Sequence, residues 1–161
     1  MTRHATDLGM LLKDPSLLQT RAYVAGEWID ADDGKTFPVV NPARGDVIAE
    51  VADLSRAEVA RAITASAAAM KDWAARTGKE RAQIMRKWFD LMMENQDDLG
   101  RILTAEMGKP LPEAKGEIAY GASFIEWFGE EAKRIYGETI PGHMRDKRLT
   151  VIKQPIGVVA S

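Results

Sequence analysis

The sequence contains no cysteine among its 161 residues. Disulfide bonds, thiolate metal sites and a cysteine nucleophile are therefore excluded within these residues. Histidine is nearly as scarce, because only His4 and His143 are present, and neither has a partner at the spacing of a metal-ligand pair. Both histidines are interpreted as surface residues. The usual signatures of a catalytic or metal centre are thus missing.

Other features are absent as well. The sequence has no glycine-rich phosphate-binding loop, and no apolar run approaches the roughly 18 residues that span a bilayer. The N-terminus lacks the basic and then apolar layout of a secretory signal. The net charge is −2 and the pI is near 5.8, whereas a general nucleic-acid binder needs a basic face. We therefore expect a cytoplasmic protein with neither a membrane nor a nucleic acid as partner.

The residues that are present describe a globular unit. The chain is 45% hydrophobic and 29% charged, a composition typical of a folded domain of this length. Residues 1–22 are predicted to be a tail or a short helical lead-in. One β-hairpin is predicted around Gly26-Glu27, and a second pairs Thr36–Val40 with Val47–Val51 through a turn at 41–45. Four leucines are expected to dock the tail: Leu11, Leu12, Leu17 and Leu18.

After the second hairpin the apolar period changes from 2 to 3.6, which predicts four helices. Two capping-box pairs mark the first two helix starts: Ser55 with Glu58, and Thr77 with Glu80. The first helix is expected to pack through an apolar stripe: Val59, Ala62, Ile63, Ser66, Met70 and Trp73. The third helix is predicted from about Gln96 to Gly108, and the fourth from about Pro112 to Tyr136. The fourth is apolar on two faces, which is typical of a helix between two layers.

Three acidic groups are interpreted as solvated. The loop that contains Asp30, Asp32 and Asp33 lacks the ligand spacing of a calcium loop. Asp97-Asp98 and Glu130-Glu131 are adjacent pairs on predicted helices, so their side chains point apart. None of these groups is expected to work as an acid and base couple.

The C-terminal part of the chain is predicted to be extended. Leu149–Ile152 is predicted to be a strand. A modest basic cluster is interleaved with its apolar residues, as in a half-buried strand: Arg145, Lys147, Arg148 and Lys153. Two interpretations of the basic residues stay open: protection of a sheet edge against aggregation, or pairing with another subunit. Pro155 is followed by a short apolar run, which predicts a buried strand. From the residues alone, the chain is a helical layer with β-hairpins and no catalytic site.

Five short phrases follow one another along the chain: Gly26-Glu27-Trp28, Val40-Asn41-Pro42 with Gly45, Glu106-Met107-Gly108-Lys109-Pro110, Thr139-Ile140-Pro141, and Gln154-Pro155-Ile156-Gly157-Val158. In this order they resemble the N-terminal part of an aldehyde dehydrogenase, over about residues 20–161. Within that family the chain is most similar to succinate-semialdehyde dehydrogenases, through residues 86–94, 117–128 and 147–155.

The resemblance implies a fold class and a division of the chain. The fold is α/β, the N-terminal portion of an aldehyde-dehydrogenase-like fold. It would combine β-hairpins, a four-helix layer, a bridging β-arm and the first strand of a truncated Rossmann-like sheet. Residues 23–139 would form the hairpin and helical part of the cofactor-binding domain. Residues 140–154 would form the bridging and oligomerisation arm, and residues 155–161 the first strand of the sheet.

The resemblance also implies a reaction. The family oxidises an aldehyde to an acid with NAD or NADP. A cysteine thiolate attacks the carbonyl, a hydride leaves to the nicotinamide, and a glutamate-activated water hydrolyses the thioester. None of the catalytic or cofactor-contacting residues of the family maps onto this chain, so the chain alone is predicted to be inactive. The arm implies a homo-oligomer, either a dimer or a tetramer.

Five residues can be carried over from the family. The backbone carbonyl of Val40 and the side chain of Glu106 match a monovalent-cation site of some members, although Glu106 could instead stabilise its helix end. Tyr120, Phe124 and Trp127 match the border of the aldehyde channel, with core packing as the alternative. A second class of function, a non-catalytic helical interaction or oligomerisation module, is also compatible with the sequence. The reading frame past Ser161 would distinguish the two classes.

Overall fold

A computed structural model describes residues 6–161, which form three two-stranded antiparallel hairpins and a set of helices. His4 lies outside the described residues. In chain order the elements are α1 (Thr6–Gly9), a 3-10 helix (Pro15–Leu17), β1 (Ala22–Val24), β2 (Glu27–Ile29), β3 (Thr36–Val40), β4 (Val47–Ala52), α2 (Arg56–Ala75), α3 (Gly78–Glu94), α4 (Gln96–Met107), α5 (Leu111–Glu131), β5 (Glu138–Pro141) and β6 (Arg148–Val151). Across residues 6–161, no helix has both the length and the hydropathy of a membrane span.

The first two hairpins confirm the sequence prediction, with one shift. The turn between β1 and β2 is centred on Ala25 and Gly26, not on Gly26-Glu27, and both residues have positive φ angles of 53° and 92°. Two positive φ angles define the tight turn that best matches the twist of a two-residue hairpin. In the β3–β4 turn, the Asn41 side-chain oxygen accepts the N–H groups of Ala43 and Arg44 at 2.9 and 3.1 Å.

Both predicted capping boxes are present. Glu58 does more than the pattern predicts, because its carboxylate accepts the Ser55 N–H at 2.5 Å and the Asp32 N–H at 2.6 Å. The side chain is 2% exposed. The Asp32 N–H is the first cause, and the Ser55 groups the second, of a Glu58 pKa that lies below its ordinary value. One carboxylate therefore joins the helix start to the loop after β2.

Replacing Glu58 with Gln should lower the melting temperature of the chain at pH 7 by about 3–8 °C. The amide carries no charge and offers one acceptor oxygen where the carboxylate offers two. Because the Glu58 pKa is lower in the folded state, the carboxylate stabilises the fold at pH values above its ordinary pKa of 4.5. This stabilisation is lost as the pH falls through the lower pKa of the folded state. The difference between the two proteins should therefore shrink below pH 4.5, as followed by circular dichroism melts at several pH values.

Glu80→Gln is the matched control for Glu58→Gln. Glu80 makes the same capping box with Thr77, but it is exposed and its hydrogen bonds stay within that box. We expect a smaller fall in melting temperature for this control. Equal falls for the two variants would show that the bond to Asp32 adds nothing to stability.

Helices α3, α4 and α5 form the packed part of the helical layer. Small residues lie where the helices approach most closely. Ala114 and Ala122 of α5 are fully buried, and Ala82 of α3 and Gly100 of α4 are buried as well. The opposite face of α5 is left uncovered within the described chain. Small side chains here allow close helix contact without a large core residue between the axes.

Two predictions about helices are corrected. Most of the apolar stripe of α2 is exposed, with Val59 at 47% and Ile63 at 52%, because α2 packs extensively against no other described helix. The long helix ends at Glu131 and not near Tyr136. Beyond it, the N–H groups of Lys133 and Arg134 bond to carbonyls only three residues back, which tightens the last turn and ends the helix.

The C-terminal segments also differ from the prediction. The predicted strand is present as β6, which pairs with β5 in the same chain, but its four residues, Arg148–Val151, are all exposed within this chain and not half-buried. No other described element covers this hairpin on either face. Residues 152–161 form no strand, since a strand needs hydrogen-bonded neighbours and none lies beside them.

Candidate functional site

The uncovered face of α5 carries the three predicted channel residues. Tyr120, Phe124 and Trp127 are spaced four and three residues apart, so they lie on one side of the helix. They are 62%, 47% and 64% exposed. The rings of Tyr120 and Phe124 meet edge to face, with centroids 4.9 Å apart. Within this chain the core-packing alternative therefore has no support, and the assignment to a channel stays a prediction.

A shallow cleft of about 530 Å³ lies on this face, and its walls are aromatic with carboxylates at the rim. Glu126 is held at the rim by Arg86, whose guanidinium lies 2.9 Å from the carboxylate. Ser123 also lines the cleft, but its hydroxyl donates to the Tyr120 carbonyl at 2.7 Å. The surface offers apolar contact to a ligand and supplies no activated nucleophile of its own.

The predicted cation ligands flank a second cleft. Val40 ends β3, Glu106 lies in the last turn of α4, and both are exposed. Their chain neighbours Asn41 and Ala105 line one cleft of about 340 Å³, so the two elements meet there. Within the described part of the chain, no three Asp, Glu or His side chains gather to hold a metal ion. A carbonyl and a carboxylate have the oxygen chemistry that hard cations prefer, and the cation site stays a prediction.

The predicted solvated pair Asp97-Asp98 is only half correct. Asp97 is partly exposed and pairs with Lys115 and, at 3.8 Å, with Lys13. Asp98 is 3% exposed, and its Oδ2 accepts the Asp14 N–H at 2.9 Å. That bond is the first cause, and the nearby Lys13 N–H the second, of an Asp98 pKa below its usual value.

No signal in the sequence marked Asp98 as buried. Its partner Asp14 lies 84 residues away, in the segment predicted to be the N-terminal tail. The tail does dock, through three of the four predicted leucines and through Leu8, which was not predicted. Leu8 and Leu12 are buried, Leu17 and Leu18 are half-buried, and Leu11 is 62% exposed.

Comparison with known proteins places these observations in a family. The model of the aldehyde dehydrogenase family matches residues 28–161, so the chain belongs to this family. Over 152 residues the chain is 62% identical to a glutarate-semialdehyde dehydrogenase of Pseudomonas aeruginosa, covering 94% of this chain and 32% of that protein. It is 58% identical, with the same two coverages, to the succinate-semialdehyde dehydrogenase (NADP(+)) of Escherichia coli.

Solved structures agree with this membership. The crystal structure of succinate-semialdehyde dehydrogenase from Burkholderia pseudomallei superposes with a TM-score of 0.88 at 56% identity. The match covers 91% of this chain and 30% of that one. The chain thus spans about a third of the length of the relatives that it matches.

Proposed function

We propose that this chain is the N-terminal part of an NAD(P)-dependent aldehyde dehydrogenase that oxidises succinate semialdehyde, or a similar short aldehyde, to the acid. The observation that carries the proposal is 58–62% identity to semialdehyde dehydrogenases over 94% of the chain. A further relative, 55% identical, is a 3-sulfolactaldehyde dehydrogenase. The names of these relatives share one substrate chemistry, a short aldehyde with an acidic group at its other end.

The decisive experiment compares aldehydes with and without that acidic group. It uses the complete enzyme, meaning the full-length protein that we propose contains this chain. We expect kcat/KM for succinate or glutarate semialdehyde to exceed that for butyraldehyde by about 10–100-fold, with either NAD or NADP as oxidant. Equal values for charged and uncharged aldehydes would overturn the proposed substrate class and leave the family membership intact.

The reaction uses chemistry that this chain does not contain. A thioester route needs a cysteine thiolate, and the chain has no cysteine. The nicotinamide cofactor, when bound, accepts the hydride. We assign no catalytic and no cofactor-binding residue to the chain. The part of the enzyme described by residues 6–161 would supply a wall of the substrate channel, an assembly arm and the layer that supports them.

Tyr120, Phe124 and Trp127 are proposed to form that wall. The support is their exposure on one face of α5, opposite the buried Ala122. Exposed rings on a rigid helix can contact the short carbon chain of a semialdehyde while the aldehyde end stays free.

Replacing Trp127 with Ala should raise KM of the complete enzyme several-fold while changing the free energy of unfolding by less than about 1 kcal/mol. The reason is that Trp127 makes few contacts within its own layer. Steady-state kinetics and thermal melts on one preparation give both quantities.

Trp88→Ala serves as the matched control for Trp127→Ala. Trp88 is 57% exposed on the neighbouring helix α3, and it lies outside the aromatic face. Its replacement should leave KM unchanged. A Trp127 variant that loses about 3–5 kcal/mol with unchanged KM would support core packing and contradict the channel assignment.

The hairpin of β5 and β6 is proposed to be the assembly arm of a homo-oligomer. Its support is an open strand edge together with exposed apolar side chains, including Ile140, Leu149 and Val151. An open edge offers unpaired backbone groups to a second copy. Closed symmetric dimers or tetramers are the usual result of such pairing.

Val40 and Glu106 are proposed as ligands of a monovalent cation. The support is the meeting of β3 and α4 at one cleft, where Pro42 packs close to Gly108. A cytoplasmic location of the enzyme is kept as a prediction.

The second candidate function is a non-catalytic oligomerisation module. The exposed arm and the absence of cysteine favour it. The coding sequence after Ser161 distinguishes the candidates, because a continuing aldehyde dehydrogenase frame supports the enzyme and a stop codon supports the module.

A further inference from the structure

The segment from Leu8 to Leu18, here called the strap, lies across two parts of the fold. One side of it contacts the β3–β4 hairpin, where Leu8 forms an apolar cluster with Ile48 and Ala49. Leu18 packs against the same cluster, and so does Ala105 of α4. The strap thus fills the space between a hairpin and a helix.

Asp98 fixes the strap to the start of α4. Its buried carboxylate accepts the Asp14 N–H at 2.9 Å, and the Asp14 side chain caps the 3-10 helix by accepting the Ser16 N–H at 2.9 Å. Lys13 adds an exposed ion pair to Asp97. A buried hydrogen bond to a charged group contributes more than such a surface pair.

The hairpin has few other attachments to the helices. In the part of the chain that the structure describes, direct contact between β3 or β4 and any helix is sparse. Pro42 lies close to Gly108 at the end of α4, and Glu58 holds the loop that precedes β3. By contrast, α5 packs extensively against both α3 and α4. The junction between the β3–β4 hairpin and α4 is therefore weaker than the packing of α5 against α3 and α4, and the strap covers this junction.

We propose that the strap is a reversible lock on this junction. When it detaches, the cleft between Asn41 and Ala105 opens, while α3 and α5 keep their packing. The strap forms one wall of that cleft through Leu8 and Leu11, so its release converts a walled cleft into an open surface. Local opening of this kind is expected where few apolar contacts hold an element.

The state of the strap should affect cation binding by the proposed ligands, and this step rests on the proposed function. Val40 belongs to the hairpin side of the junction, and Glu106 belongs to the helix side. The spacing between the two ligands is therefore fixed only while the junction is closed. A protein with a detached strap should bind the cation more weakly.

The test measures amide hydrogen exchange by mass spectrometry in the complete enzyme. Asp98→Ala removes the acceptor for Asp14, and Asp98→Asn keeps an uncharged acceptor. We expect exchange in residues 36–52 and 101–108 to be at least about tenfold faster in Asp98→Ala, and intermediate in Asp98→Asn. Residues of α3 and α5 should exchange at the parent rate.

Asp97→Ala is the comparison variant, because it removes only exposed ion pairs, one of them to Lys13 of the strap, and it should speed exchange much less than Asp98→Ala does. Leu8→Ala tests the other anchor and should reproduce the pattern of Asp98→Ala. Unchanged exchange in both anchor variants would overturn the lock. Uniformly faster exchange through all helices would overturn it too, because the strap would then be part of the global fold.

Potassium chloride titrations, with choline chloride holding ionic strength constant, probe the cation separately. The parent should gain protection at residues 36–52 as K⁺ rises, and Asp98→Ala should need several-fold more K⁺ for the same gain. A parent that does not respond to K⁺ would overturn the proposed cation ligands. The exchange rates without K⁺ would then decide the lock independently.

Discussion

The purified chain of 161 residues should form no NADH or NADPH from succinate semialdehyde, a complete loss relative to the enzyme that we propose contains it. The physical reason is the missing thiol, since the thioester route begins with a cysteine thiolate and the chain has no cysteine. Ser123, which lines the aromatic cleft, already donates its proton to the Tyr120 carbonyl. The measurement is the ultraviolet absorbance of the reduced nicotinamide over several hours with each cofactor.

The complete enzyme at equal molarity provides the positive control for this assay. A blank without aldehyde corrects for slow cofactor decay. Reproducible turnover above the blank would contradict the assignment of the chemistry to residues outside this chain. It would also require a nucleophile other than cysteine.

A proline in β6 should raise the dissociation constant of the assembled enzyme by about 100-fold. Neighbouring residues of a strand direct their N–H groups to opposite edges. Of Thr150 and Val151, one therefore faces β5 and the other faces the open edge. Thr150→Pro and Val151→Pro together test both edges. Sedimentation velocity at several protein concentrations gives the shift toward smaller species.

Alanine at the same two positions is the control, because it keeps the backbone N–H and removes only the side chain. We expect the alanine variants to assemble almost as well as the parent. If both proline variants keep the oligomeric state of the parent, the arm is not the assembly element. If the alanine variants dissociate equally, side-chain contacts rather than strand pairing hold the copies together.

Short-range signals made much of this fold predictable. The two capping boxes, the β3–β4 hairpin and the end of α4 at Gly108 all depend on residues within a few positions of one another. Gly108 adopts a φ of 83°, a conformation that favours glycine, and a helix stop follows directly from it. Local chemistry of this kind is the same in any tertiary setting.

Burial was less predictable, since it depends on residues distant in the chain. Asp98 was expected to be solvated because the side chains of Asp97 and Asp98 point apart on the helix, yet the strap covers Asp98. Ile63 lies on the apolar stripe of α2, yet it is 52% exposed. The same amphipathic pattern serves a covered helix and an uncovered one, so the pattern alone cannot distinguish them.

In the candidate site, too, local features were predictable and contacts between distant residues were not. Helical spacing correctly places Tyr120, Phe124 and Trp127 on one face, because a period of 3.6 requires it. Their exposure required the structure, since α5 has two apolar faces and only one of them is packed. The role of Asp14 in binding Asp98 was out of reach, because no local pattern links residues 84 positions apart.

The small residues between α3 and α5 determine how motion would pass through this layer. A β-carbon added at Gly129 would lie 3.2 Å from the Met85 Cβ, so the two backbones are already near their closest approach. The Met85 Cβ and the Ala82 carbonyl, which face Gly129, are fixed to the backbone and cannot absorb a displacement by changing rotamer, as the outer atoms of a methionine or leucine can. A ligand that presses on the aromatic face of α5 would therefore displace α3 together with α5. The displacement would reach the opposite side of the helical layer.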